Sequence, residues 1–313
     1  MRILRRRKDQ VATVRGSETV DSHPQETDSG DDRRGGSWRF FMYVFRRNKL
    51  AVIGGLCLLF IVLMGLIGPL FTAYSPTKSD MKSASLPPSA THWMGTDAMG
   101  MDIFTRVIYA ARIDLYIAAI AVVLAAVIGS VYGAISAFYG KVLDEVMMRL
   151  LDSFQAFPSI LLGLAIAAAL GPSLRNVIIV LVVVNVPMYA RLVRSQILYL
   201  REAPFVDAAR TVGNSNARIM FRHLLPNSLS PVYVQASLNV GWSVLMAASL
   251  SFLGLGVQAP QPEWGLMVSQ GARQMVVGDW WSAFFPGLFI LLFVLSSNLL
   301  GDGLQDVFDP RRR

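Results

Sequence analysis

Few residues of this chain have the types and spacing that catalysis requires. His23, His92 and His223 stand too far apart to form a ligand spacing, and the one cysteine, Cys57, falls inside an apolar run. An internal disulfide and a cysteine-based zinc site are therefore excluded. The chain has no G-x-x-x-x-G-K-[ST] loop to cradle nucleotide phosphates, no H-E-x-x-H to hold zinc, and no G-x-S-x-G to present a serine. It is read as no enzyme: it has no ATPase site of its own, no catalytic residue, no metal site and no cofactor that it binds itself. The spacing that does carry information is in "DAARTVGNSNARIMFRHLLPN", which runs from Asp207 to Asn227 through an otherwise apolar chain.

That stretch predicts two short amphipathic helices. Pro204 suits a first helical position because its φ is already fixed. Phe205, Ala208, Ala209 and Val212 recur at i, i+3, i+4 and i+7, an apolar stripe. Gly213 ends the helix, since glycine takes the left-handed position there at little cost. Ser215 or Asn216 can cap the second helix, where Ala217, Met220, Phe221 and Leu224 repeat the spacing before Pro226 breaks it. Helices this short are unstable alone in water, so the pair must dock against something. One reading packs it on its own membrane domain. The other makes it a knob for a partner, with Ala208 and Ala209 allowing close approach and Asp207, Arg210, Arg218 and Arg222 supplying charge.

The surrounding elements set where that knob stands. Of 313 residues 53% are hydrophobic and only 16% are charged, against about 25% charged in a typical soluble domain. Long apolar runs read as membrane spans. Six are expected, at about 50–72, 113–138, 145–170, 174–199, 229–253 and 283–301, giving an all-α polytopic membrane protein with six transmembrane helices. With the N-terminus inside, most of the 29 Lys and Arg fall on the cytoplasmic side, and only Lys78, Lys82, Arg106, Arg112, Arg175 and Arg273 fall outside. This asymmetry places both termini in the cytoplasm. It also accounts for the net charge of +8 without nucleic acid. The chain divides into a disordered cytoplasmic tail (1–37), a retained signal-anchor span (38–74) and an extracytoplasmic loop with a short amphipathic helix capped by Asp102 (75–112). A five-helix core (113–303) follows, including the cytoplasmic connection 203–227, and then a C-terminal tail (304–313).

The spans are expected to carry no ionisable group at their centres. Asp152 is the deepest, one to two turns into the third. A proton- or sodium-driven carrier, which needs such a group, is the alternative reading. Gly129 and Gly133 permit close helix contact. Pro158 and Pro187 are expected to kink the third and fourth spans, through simple packing or because those helices line a path. Trp264, Trp280 and Trp281 suit the boundary between water and lipid.

The pattern D-A-A-x3-G-x9-H-L-L-P, with Asp207, Ala208, Ala209, Gly213, Leu225 and Pro226, resembles the coupling loop of binding-protein-dependent ABC importer permeases. Asp207 stands where that family usually has Glu, and His223 where it usually has an aliphatic residue. "HWMGTDAMGMDIFTR", "AFPSILL", "ASLSFLGLGVQAPQPEWG" and "LLGDGLQDVFDPR" are similar to the dipeptide/oligopeptide/nickel group, with Met101 at a position that is usually Arg. The resemblance covers about residues 38–313.

The resemblance implies a type I ABC importer permease fold in a bacterial or archaeal plasma membrane. It implies a homologous second permease that completes the translocation path, two cytoplasmic ATP-binding subunits that use ATP and Mg, and an extracytoplasmic solute-binding protein. The residues implied for ATPase coupling are Phe205, Asp207, Ala208, Ala209, Val212, Gly213, Arg218, Leu225 and Pro226. Di- or oligopeptides lead as substrate, with nickel or another small solute as the alternative.

Overall fold

The computed structural model describes residues 48–308. The expected tail 1–37, the start of the signal-anchor segment and residues 309–313 of the C-terminal tail lie outside the described residues. Within them the regular structure is helical, joined by loops and turns, with one isolated bridge between Thr96 and Asp102.

Helix α1 (Lys49–Ile67) begins where the Asn48 side chain accepts from the Ala51 amide at 3.1 Å. The same side chain donates to Asp306 Oδ2 at 3.2 Å, joining the first helix to the last. Helix α2 (Ile103–Tyr139) starts at Asp102, whose carboxylate accepts from the Thr105 amide at 2.8 Å. The cap expected at Asp102 is present, but the separate short helix expected before the second span is not. Nothing between Ala111 and Leu115 breaks the helix, so cap and span merge into 37 residues. At 1.5 Å per residue that is about 56 Å, well beyond a hydrocarbon core of about 30 Å, so one end of α2 must protrude from it.

The expected third span is divided. Helix α3 (Lys141–Gln155) and helix α4 (Ser159–Leu170) meet at an angle of 87°. Pro158 precedes the first residue of α4 instead of bending a continuous rod; it lacks the amide an unbroken helix would use. Pro187, in contrast, lies inside helix α5 (Leu174–Leu200). Then come α6 (Pro204–Thr211), α7 (Asn216–Arg218), a π-helical turn (Ile219–Leu224) and α8 (Leu225–Asn227). Helices α9 (Ser230–Phe252), α10 (Trp264–Gln274) and α11 (Trp281–Phe308) complete the described chain.

Four described helices are long and apolar enough to cross a membrane: α1 with its final turn, α2, α5 and α11. The count rises to five if the bent α3–α4 pair is one span. The expected count of six is not reached on length and apolarity. Helix α9 has 23 residues, about 34 Å, but it carries Gln235, Asn239 and several serines. Those polar groups turn inward. Asn239 Nδ2 donates to Asn185 Oδ1 and to the Tyr189 hydroxyl, both at 3.2 Å, and its own oxygen accepts from Gln235 Nε2 at 3.0 Å.

Packing follows the small residues. A Cβ on Gly129 would lie 2.6 Å from Tyr189 Cβ, and one on Gly133 would lie 2.1 Å from the Ala190 carbonyl oxygen. Only glycine allows α2 and α5 to approach this closely. Three apolar clusters succeed one another along α2. The first gathers Ile103, Val107 and Ala111 with Trp264 and Phe293. The second gathers Ile117 and Ala121 with Leu181 and Leu250. The third gathers Ala134 and Ala137 with Tyr189, Ile197 and Leu224.

Candidate functional site

The connection between α5 and α9 holds the residues expected to couple to a partner. Pro204 is the first residue of α6. The Gly213 amide donates to the Arg210 carbonyl at 2.9 Å, and the Asn214 amide to the Ala209 carbonyl at 3.2 Å. This is the crossed pair of bonds that closes a helix C-terminus, and it needs φ > 0 at the residue between. Gly213 has φ +81°. Ser215 then caps the next helix, accepting from the Arg218 amide at 3.4 Å.

The structure divides the apolar groups of this connection between two faces. Val206, Ile219, Met220 and Leu224 are buried in the third apolar cluster. Phe205 remains 41% exposed and Val212 83% exposed; Ala208, Gly213 and Arg218 are also exposed, and Ala209 is half-buried. One face is therefore anchored on the chain itself, and the other is open. Asp207 is exposed and accepts from Arg210 Nη1 at 3.3 Å. Leu225 is half-buried and Pro226 exposed.

Sequence periodicity missed two features here. It did not single out Val206, the buried anchor of α6, because that residue lies off the i, i+3, i+4, i+7 stripe. It also gave no sign of the π-helical turn Ile219–Leu224. The only available signal was Pro226, whose ring crowds a regular carbonyl four residues earlier; wider turns of this kind are often found at functional sites.

The stems of the connection are tied to the break in the third span. On α5, Arg194 grips Asp144 of α3 with Nε at 2.6 Å and Nη2 at 2.5 Å, a two-pronged charge-assisted pair. Ser136 also donates to Asp144. One turn earlier on α5, Arg191 pairs with Asp152. Asp152 is thus an ion-paired, exposed residue near the end of α3. Asp152, Arg191, Phe157 and Pro187 line a cavity of about 530 Å³, so the structure brings Pro187 and the neighbours of Pro158 to one opening.

The other end of the bundle joins the segments 75–112 and 254–282. Trp264 Nε1 donates to the Val107 carbonyl at 3.1 Å, and Trp281 Nε1 to the Thr96 carbonyl at 3.1 Å. Both indoles are buried, and of the three expected boundary tryptophans Trp280 alone, at 49%, is substantially exposed. The expected boundary placement is therefore corrected for Trp264 and Trp281, which are packing anchors between the two segments. Glu263 caps α10, accepting from the Gly265 amide at 2.9 Å and the Leu266 amide at 2.7 Å. It is completely buried, which pushes its carboxyl above the usual range. Met101 is buried, and its sulfur accepts from Arg106 Nη1.

Residues 129–313 match the family described as binding-protein-dependent transport system inner membrane component. The chain belongs to this family. Residues 36–88 match the N-terminal transmembrane domain of oligopeptide transport permease C. A dipeptide transport system permease protein from Alkalihalophilus pseudofirmus is 46% identical over 88% of this chain and 90% of its own length. An oligopeptide transport system permease protein from Bacillus subtilis is 38% identical over 88% and 90%. A glutathione transport system permease protein from Pectobacterium atrosepticum is 38% identical over 88% and 91%. As a member of this family the chain is a membrane-embedded permease subunit of an ABC importer, not an enzyme, and the ion-coupled carrier is not favoured.

Proposed function

We propose that this permease imports di- or oligopeptides. In this reading it pairs with a homologous permease to form half of the translocation path, and the connection 203–227 couples that path to one of two cytoplasmic ATPases. The observation that carries the coupling role is the divided connection: Val206, Ile219 and Leu224 hold it to the bundle, while Phe205, Ala208 and Val212 are left for a partner. The substrate class rests on the names of the relatives, of which the first is a dipeptide permease.

The fold proposed is the type I importer permease with six transmembrane helices. Helix α9 crosses as the fifth, its polar side chains sheltered by α5, and α3–α4 crosses as a broken third. Both termini lie in the cytoplasm of a bacterial or archaeal cell. Segments 75–112 and 254–282 meet a solute-binding protein outside. ATP and Mg act on the partner ATPases. When these close, the connection moves with them, and α5 draws α3 through the Arg194–Asp144 and Arg191–Asp152 pairs. The cavity beside Pro187 is part of the path that opens. For this to work, ATP must favour one position of the loop over the other, since a ligand shifts only states it distinguishes.

The test is uptake of a labelled dipeptide by proteoliposomes holding both permeases, both ATPases and the binding protein. ATP-dependent uptake that vanishes when this chain is omitted supports the reading. Uptake of nickel in place of peptides would overturn the substrate class, and uptake driven by a proton gradient without ATP would overturn the importer.

A further inference from the structure

Where the segments 75–112 and 254–282 meet, a cavity of about 220 Å³ is lined by Asp97, Met99, Arg106, Met267, Gln270 and Arg273, among others. Arg106 is only 1% exposed. Its Nη1 is engaged by the Pro76 carbonyl and the Met101 sulfur. Its Nε and Nη2 have no hydrogen-bond partner among the described residues. The nearest carboxylate, Asp97, stands 3.7 Å from Nε. The other oxygen of Asp97 already accepts from the Met99 and Met101 amides, both at 2.9 Å.

A buried guanidinium with free donors is costly unless an anion completes it. Arg273 adds a second cation to the same lining, so the two outnumber Asp97. A carboxylate matches the fork of a guanidinium through two parallel hydrogen bonds. Met99 and Met267 supply an apolar wall beside this polar end, and the volume suits one terminal residue better than a whole oligopeptide. We infer that this pocket binds the C-terminal carboxylate of a peptide, held between Arg106 and Arg273 with Gln270 beside them. The inference rests on the peptide-importer reading and adds to it a substrate contact outside the cavity at Pro187.

The test measures equilibrium binding of labelled Ala-Ala and of its C-terminal amide to the assembled importer in nanodiscs, without the binding protein. Charged hydrogen bonds of this kind predict that the acid binds about tenfold more tightly than the amide. Arg273→Gln, and Gln270→Glu, which places a carboxylate in the pocket, should each remove most of that preference. Arg106→Gln should do the same; because Arg106 is buried, its unfolding midpoint is measured alongside, and the exposed Arg273 keeps the test decisive if that variant does not assemble. Equal binding of acid and amide by the wild type, or an undiminished preference in both Arg273→Gln and Gln270→Glu, would overturn the inference. So would a result in which Arg273→Gln weakens attachment of the peptide-free binding protein but leaves the acid preference intact, for the carboxylate would then come from that protein. ATP-dependent dipeptide uptake by the wild-type importer is scored separately, and its absence would strike the parent reading.

Discussion

Gly213→Val should uncouple ATP hydrolysis from transport while the bundle stays folded. Gly213 sits at φ +81°, and no atom lies within 4 Å of where a Cβ would be. The penalty is therefore one of backbone conformation, not collision. For an L-residue the left-handed region costs about 1–2 kcal/mol, and a β-branched side chain belongs at the upper end. At about 1.4 kcal/mol per factor of ten, the closed turn loses a factor of roughly 5–30 in population. The bonds released are Gly213 N–H to Arg210 and Asn214 N–H to Ala209, which set the angle between α6 and the π-helical turn. If only the closed turn transmits force, peptide imported per ATP hydrolysed in proteoliposomes should fall by a comparable factor. Gly213→Asn is the control, because asparagine visits this region with a smaller penalty, and it should retain most coupling. The reasoning fails if the valine variant imports as much peptide per ATP as the wild type. It fails equally if asparagine is as damaging as valine, since the cause would then be side-chain bulk.

Ala208→Glu adds a bulky charge to the open face of α6 and should reduce co-purification of the ATPase subunits without lowering the unfolding midpoint of the permease; wild-type recovery of the ATPases would refute it. Asn239→Leu leaves Asn185 Oδ1 and the Tyr189 hydroxyl without the bonds they receive from Asn239. Buried orphans of this type cost about 1–3 kcal/mol, so a lowered unfolding midpoint in detergent is expected, and an unchanged one would count against the network. Glu263 has a folded-state pKa raised above its ordinary 4.5 by burial. The native state therefore holds that proton more tightly, and the stabilisation, complete below the ordinary value, declines as pH rises through and beyond it. Stability should fall as pH rises above the ordinary value of 4.5, and Glu263→Gln should flatten this decline; parallel curves for the two proteins would exclude Glu263 as its source.

Much of this protein was legible because the determinants are local. Apolar run length fixes which segments can enter lipid, and Asp102, Pro204, Gly213 and Ser215 punctuate the chain through their own backbone preferences. The apolar stripe that includes Phe205 and Val212 follows from helical period, but that it is left exposed is decided by the bundle. Other features needed the assembled bundle. Asp102 caps a helix, but only the absence of a breaker between Ala111 and Leu115 lets that helix run on to Tyr139. The apolar run at 229–253 reads as a span, but what shelters the polar Asn239 within helix α9 comes from α5, where its partners Asn185 and Tyr189 lie 54 and 50 residues away. Trp264 and Trp281 have the amphipathic chemistry of a membrane boundary, yet buried carbonyls of Val107 and Thr96 claim their indole donors. Asp152 and Arg191 gain meaning only as a pair, as do Arg106 and Arg273 around their shared pocket. Local backbone preferences are written in neighbouring residues; burial and polar partnership depend on which distant segments arrive at the same place.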